Sequence, residues 1–171
     1  MKVYTENERV REARKAELMR ILAKHPHACL ICAQKEGCTT EPCSTNVPKA
    51  ERCCPKFGNC ELERVAEYIG IREDTPRYTP QNLPIIENEP LFLRDYNLCI
   101  GCTRCVRACQ ELRGVRALGF VYKNGEAFVG TVAPTFMDSD CRFCGACVEV
   151  CPTGALRDKA LKAAKREVDL V

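Results

Sequence analysis

Residues 99–109 read CIGCTRCVRAC, and residues 141–152 read CRFCGACVEVCP. In both runs the cysteines are separated by two, two and three residues, so eight of the 15 cysteines of the chain lie in two short segments of the same design. Two-residue separations allow three consecutive thiolates to reach three corners of a cubane of iron and sulfide. The spacing therefore predicts two [4Fe-4S] clusters in this half of the chain.

The fourth cysteine of each run is expected to ligate the cluster of the other run, as in bacterial two-cluster ferredoxins. We expect this cysteine to open a helix, and the glycines at 101 and 145 to relieve the tight turns between ligands. Two predicted ligand sets follow: site A is Cys99, Cys102, Cys105 and Cys151, and site B is Cys109, Cys141, Cys144 and Cys147. An apolar jacket is predicted around both sites, from Leu98, Ile100, Val106, Phe143, Ala146 and Val148.

Zinc is the competing metal for clustered cysteines. Structural zinc motifs separate two cysteine pairs by a longer loop. Here four thiols fall within eleven residues, twice. The spacing favours iron-sulfur clusters over zinc, and the colour of anaerobically purified protein separates the two hypotheses, since an iron-sulfur protein is brown.

A different constellation, His25-x3-Cys29-x2-Cys32-x5-Cys38, lies in the N-terminal half, directly after a predicted helix over residues 5–23. This spacing, with Pro26 after the histidine, resembles the large iron-sulfur subunit of respiratory complex I and the related formate dehydrogenases and iron hydrogenases. The resemblance covers roughly residues 5–155 and implies that one histidine and three cysteines hold a further [4Fe-4S] cluster. His27 lacks this register, and we expect it to be a solvent-facing loop residue.

Four cysteines remain after these three clusters, in a segment that is not part of the complex I pattern: Cys43, Cys53, Cys54 and Cys60. The segment has several prolines and little apolar material, so a metal would help to hold it in place. We predict a fourth [4Fe-4S] cluster here. The alternative is a loop with spare thiols, because the adjacent Cys53 and Cys54 side chains tend to diverge.

The predicted fold class is α+β with much irregular structure. Residues 1–70 form an N-terminal helix and a helical, cysteine-rich cluster-binding domain with a short helix after Cys60, and residues 71–90 form a proline-rich linker. Residues 91–171 form a bacterial two-[4Fe-4S] ferredoxin-like domain. This domain is expected to contain a hairpin, with 116–122 and 126–132 flanking a Lys123-Asn124-Gly125 turn, and a helix from about Ala155 to Val168.

Composition limits the setting in which the protein works. The polar N-terminus predicts no signal peptide, and reduced thiols at short spacings indicate the cytoplasm. No apolar run approaches a membrane span of roughly 18 residues. The formal charge of +3 comes from basic residues interleaved with acidic ones, and aromatics are 6%, so nucleic acid is not an expected partner.

The sequence contains no glycine fingerprint for a dinucleotide and no catalytic triad, which predicts a non-catalytic electron-transfer subunit in a hetero-oligomer. A small chain of this type resembles the electron-transfer subunit of tungsten aldehyde oxidoreductases and class II benzoyl-CoA reductases. That resemblance implies larger pterin- or flavin-containing partners, with electrons passing between a tungsten/pterin subunit and a flavin/NAD or ferredoxin partner. The alternatives are a free soluble ferredoxin and the wire subunit of a formate dehydrogenase or hydrogenase complex.

Overall fold

A computed structural model describes residues 1–32, 56–72, 74–76, 78–123 and 125–160. The chain divides into two compact units, Met1–Asn82 and Leu83–Val171. The division falls inside the segment predicted as a proline-rich linker. Each unit is described separately below, and together they combine helices and strands in a mixed α and β architecture.

In its described residues, 1–32, 56–72, 74–76 and 78–82, the N-terminal unit has the helices α1 (Glu8–Leu22), α2 (Ala28–Ile31) and α3 (Glu61–Ile69). Helix α1 begins later than predicted. Its N-cap is Asn7, whose side chain accepts a hydrogen bond from the Val10 N–H at 2.9 Å. An asparagine at this position satisfies a backbone N–H of the first turn, so the helix starts at Glu8 and not at residue 5.

Helices α1 and α3 contact each other, and each contributes two buried apolar residues to the described part of this unit. Leu18 and Leu22 lie on the buried side of α1, and Leu62 and Ala66 on that of α3. The short helix after Cys60 is confirmed. Its other face is open to solvent, where Val65 is 42% exposed.

The C-terminal unit begins with a three-stranded antiparallel sheet in the order β1 (Ile85–Ile86), β2 (Phe92–Asp95) and β5 (Leu156–Asp158). Strand β1 lies within the segment expected to be an extended linker. Strand β5 occupies the start of the expected C-terminal helix, so that helix cannot begin at Ala155. Arg94 of β2 pairs with Leu156 of β5, which joins the two ends of this unit.

A second sheet is the hairpin of β3 (Leu118–Lys123) and β4 (Glu126–Thr131). Lys123 pairs with Glu126, so two residues form the loop, and Gly125 has a φ of +81°. Such a φ favours glycine. The predicted hairpin is confirmed.

Two short helices carry the cysteine runs. Helix α4 (Arg104–Arg107) continues as a π-helical turn over Ala108–Leu112, and α5 spans Ala146–Glu149. Between the helices and the sheets lies a core of eight buried residues: Phe92, Cys105, Val106, Leu118, Val129, Phe136, Cys147 and Leu156. One buried cysteine of each run thus belongs to the hydrophobic core itself.

Candidate iron-sulfur sites

The four cysteines predicted for site A line one cavity of the C-terminal unit. Cys99, Cys102 and Cys105 come from the first run, whereas Cys151 comes from the end of the second. The remaining wall is largely apolar and includes one buried cation, Arg94. The other lining residues are Ile100, Thr103, Val129, Pro152, Thr153, Ala155 and Leu156. The fold therefore brings together three thiols of one run and the fourth thiol of the other around one cavity.

The loops between ligands share an unusual backbone. In the first run Gly101 and Thr103 have φ values of +67° and +60°, and in the second Phe143 and Gly145 have +49° and +75°. These are the third and fifth positions of each run, so the repeat in sequence is also a repeat in conformation. A left-handed residue with a side chain costs about 1–2 kcal/mol. Each loop thus holds one glycine and one left-handed residue with a side chain. The glycine is at the third position of the first run and at the fifth position of the second.

The thiols of site B are electrostatic neighbours. Burial raises the pKa of the Cys147 thiol to about 12, and the nearby thiols, Cys105, Cys141, Cys144 and Cys109, contribute to this rise. The pKa of Cys141 is also raised, first by burial and then by Cys109. Cys109 of the first run therefore lies near the cysteines of the second run, as the crossed ligand set predicts.

Burial is also the main cause of the raised pKa of two site A thiols, Cys99 and Cys105. It raises the pKa of Cys105 to about 11, while the Arg94 guanidinium acts in the opposite direction. Without metal, Cys99 and Cys105 carry their protons at neutral pH, because the pKa of each is raised. Metal ligation requires thiolates, so cluster binding must release these protons.

Backbone N–H groups point at several of the sulfurs. The Phe143 N–H donates to the Cys141 sulfur at 3.4 Å. The N–H of Ala146 is the largest cause of the lowered pKa of Cys144. Burial raises the pKa of Cys99, and the N–H of Gly101 opposes that rise. Donors of this kind stabilise negative charge on sulfur and contribute to setting the reduction potential of a cluster.

Thr153 joins the two runs at site A. Its hydroxyl, 1% exposed, donates to the carbonyl oxygen of Leu98 at 2.7 Å and accepts from the Ala155 N–H at 3.3 Å. The same hydroxyl lies 3.8 Å from the Cys151 sulfur. Because Leu98 directly precedes Cys99, this one side chain fixes the start of one run beside the end of the other.

The helices lie differently from the prediction. Helix α4 contains Cys105 and α5 contains Cys147, so each helix begins just before the third cysteine and not at the fourth. Cys109 lies in the π-helical turn that follows α4. An extra residue in that turn changes the direction of the side chains after it, and π turns are frequent at functional sites.

The predicted jacket is largely present. Leu98 and Val106 are buried, Ile100 lines the cavity, and Phe143 and Val148 pack on the core. The structure adds an aromatic group that the sequence did not reveal. Rings of Phe92, Phe136 and Phe143 lie 5.7–6.5 Å apart, between centroids.

In the N-terminal unit His25 is 5% exposed, and its Nδ1 lies 2.7 Å from the carbonyl oxygen of Pro26. A carbonyl can only accept, so Nδ1 carries the proton and Nε2 keeps the lone pair that a metal requires. Nε2 is itself buried. Cys29 and Cys32 are half-buried, and Cys38 lies outside the described residues.

His27 was predicted to face solvent, and this is wrong. It is 3% exposed, and its Nδ1 lies 2.9 Å from the carbonyl oxygen of His25. A histidine that hydrogen-bonds a turn two residues away is fixed by local backbone geometry, which its position in a motif does not reveal. The result is a compact His25-Pro26-His27 turn in which both rings are buried.

Of the four remaining cysteines only Cys60 is described, because Cys43, Cys53 and Cys54 lie outside the described residues. Cys60 is 6% exposed and immediately precedes α3. Burial raises the pKa of its thiol against the opposing effect of the Glu63 and Leu62 N–H groups. Among the residues that the structure describes, no three His, Cys, Asp or Glu side chains converge tightly enough to hold a single metal ion.

Sequence reasoning missed Arg94, Glu89 and Thr153. Arg94 is 4% exposed in the middle of a strand, and an arginine between Phe92-Leu93 and a cysteine run is the signal that could have found it. Glu89 and Thr153 gave no such signal, since their roles depend on contacts with distant backbone.

The ferredoxin-like part of the chain is similar to known proteins. Residues 89–157 match the family model of the ferredoxin-like domain of NADH-quinone oxidoreductase subunit 3. A chain of the NAD+-reducing [NiFe]-hydrogenase in the H2-reduced state has a similar fold, with a TM-score of 0.66 and 21% identity over 91% of this chain and 57% of that one. The chain is thus an iron-sulfur protein of electron transport, with a ferredoxin-like domain.

Two curated relatives extend the similarity along the sequence. The NADP-reducing hydrogenase subunit HndD of Solidesulfovibrio fructosivorans is 34% identical over 91% of this chain and 23% of its own length. The 75 kDa subunit of the NADH-ubiquinone oxidoreductase of Acanthamoeba castellanii is 28% identical over 99% of this chain and 22% of its own. The chain spans less than a quarter of the length of these relatives. They support the complex I-like part of the expectation and not the tungsten-enzyme part.

Proposed function

We propose that this chain is the electron-transfer iron-sulfur subunit of an NAD(P)-linked oxidoreductase complex, and that it passes electrons through a series of [4Fe-4S] clusters without acting on an organic substrate. The observation that carries the proposal is the site A cavity, around which four thiols from two separate cysteine runs are gathered. Four thiolates around one enclosed space are the ligand set of a cubane cluster.

The residues of the chain bind the clusters, exclude water and expose one edge of each site. A [4Fe-4S] cluster supplies reversible one-electron chemistry when bound. Cys105 and Cys147 are buried in the core, whereas Cys102 and Cys144 are exposed. Each site therefore has a shielded side facing the protein and one ligand at the surface, where an electron can enter or leave.

Crossed ligation would make the two sites one mechanical unit. Cys109 and Cys151 each link one run to the site formed by the other, and Thr153 adds a direct hydrogen bond between the runs. A rigid pair of sites needs little rearrangement when it gains or loses an electron. Such a pair suits fixed wiring inside a complex as well as transfer in solution.

Similarity favours the first of these roles. The relatives named above are subunits of a hydrogenase and of a ubiquinone oxidoreductase, whose names state NADP or NADH as their redox partner. We therefore propose a hetero-oligomer with a larger flavin- or pterin-containing subunit and a location in the cytoplasm. No helix in the described part of the chain is long and apolar enough to cross a membrane.

Anaerobic affinity purification of the tagged chain from its native host tests this proposal. We expect a larger subunit to co-purify and the complex, but not the isolated chain, to reduce or oxidise NAD(P) together with a second substrate. A Cys102→Ser variant should assemble and lose electron transfer, because it alters an exposed ligand and not the core. Purification of an active chain by itself, with turnover of an organic substrate, would refute the proposal.

A further inference from the structure

Arg94 places a buried positive charge at site A. The residue is 4% exposed and lines the same cavity as the four site A cysteines. The guanidinium lies over the Tyr96 ring, 4.6 Å from its centroid, and Nη2 donates to the carbonyl oxygen of Val129. The orientation of the side chain is therefore fixed on two sides.

The other terminal nitrogen of Arg94 is the unusual one. Nη1 is buried and has no hydrogen-bond partner among the described residues. A buried charged donor without an acceptor is costly, so an anionic group in the adjacent cavity is the expected counterpart. Thiolates and sulfides of a bound cluster would supply that negative charge.

Site B has a buried charge of the opposite sign. Glu89 is 4% exposed, and its Oε1 accepts a hydrogen bond from the Phe136 N–H at 2.9 Å. The Cys141 N–H donates in turn to the Phe136 carbonyl at 3.1 Å, which ties Glu89 to the first ligand of the second run. The carboxylate also acts on the Cys141 thiol electrostatically.

Two cations lie on the site B side as well. Arg113 acts on the Cys144 thiol, but it is exposed, so solvent screens its charge. The Lys159 ammonium binds the backbone carbonyls of Glu87 and Glu89. The charge that is both buried and next to a ligand is therefore positive at site A and negative at site B.

We propose that the buried charges of Arg94 and Glu89 separate the reduction potentials of the two clusters. The site A cluster then has the higher potential and takes up the first electron. A cluster with four thiolates becomes more negative when reduced, and a buried cation favours that state while a buried carboxylate opposes it. The pair of charges thus gives electron transfer between the two sites a direction. This inference rests on the proposed cluster ligation.

The test is an EPR-monitored redox titration of anaerobically reconstituted full chain. We expect Arg94→Met to shift the site A oxidation equilibrium at least tenfold towards the oxidised form, about 59 mV for one electron, with little effect on site B. Arg94→Lys keeps the charge, so we expect its site A potential to stay close to that of the unsubstituted chain. A Cys102→Ser variant, which alters only a site A ligand, identifies which signal belongs to site A.

Glu89→Gln provides the complementary arm, because the amide oxygen can still accept from the Phe136 N–H. We expect it to shift only site B, towards the reduced form. This arm stands if Arg94→Met fails to fold. Unchanged potentials in the folded variants, or equal shifts at both sites, would overturn the inference while leaving the proposed function intact, whereas a chain that binds no cluster would overturn the proposed function itself.

Discussion

Thr153→Val should loosen site A without creating a cavity. Valine has nearly the same shape as threonine but cannot hydrogen-bond, so the Leu98 carbonyl and the Ala155 N–H both lose a buried partner. An unsatisfied buried group costs about 1–3 kcal/mol. Since valine also removes the hydroxyl's own burial cost, we expect a net loss of about 2 kcal/mol, which is the lower end for two groups.

The loss can be measured as the rate at which the brown colour fades in guanidinium under anaerobic conditions. If the contact is broken before the cluster is released, a loss of about 2 kcal/mol makes the colour fade roughly thirtyfold faster, at 1.4 kcal/mol per factor of ten. The site A cluster should lose its colour before the site B cluster, because Leu98 adjoins Cys99 and Ala155 lines the site A cavity. Thr153→Ser, which keeps the hydroxyl, should stay close to wild type. Equal fading rates for the valine variant and wild type would refute this reasoning.

Other variants test separate parts of the account. Cys109→Ala should damage the EPR signal of site B and spare site A, and loss of the site A signal alone would contradict crossed ligation. Replacing His25 with Cys adds a thiolate and should lower the potential of that cluster, whereas an unchanged spectrum in His25→Ala would mean that it is no ligand. A Cys43→Ser and Cys60→Ser double variant should reduce about 16 iron atoms per chain to about 12, on four irons per cubane, and a total near 12 in both proteins would exclude the fourth cluster. Gly130→Ala should weaken the hairpin, because the new methyl group would lie 2.6 Å from a Val121 methyl, and unfolding of the apoprotein in urea checks this.

Local chemistry explains what the sequence revealed. The hairpin was predicted because an Asn-Gly pair lies between two runs of β-branched and aromatic residues, although the turn was expected to include Lys123, which instead pairs with Glu126. The crossed ligand set of site A was predicted from the cysteine spacing, and the cavity is lined by three cysteines of the first run and one of the second. Both are properties of short segments, and they need little information from the rest of the chain.

Long-range pairing explains what the sequence did not reveal. Strands β1 and β5 are two and three residues long, and each pairs with β2. Segments this short carry no period of their own, so one resembled a linker and the other a helix. The contacts of the buried Arg94 were also out of reach of the sequence, since Val129 comes from a distant strand and Tyr96 from an adjoining turn.

The central claim, that this chain carries electrons on several cubane clusters, is tested most directly by a reductive titration of the purified, anaerobic protein with its iron and acid-labile sulfide measured on the same sample. The account predicts a brown protein with equal amounts of iron and sulfide that takes up about one electron per cluster, and so about four per chain. A colourless, zinc-containing protein that accepts no electrons would contradict it.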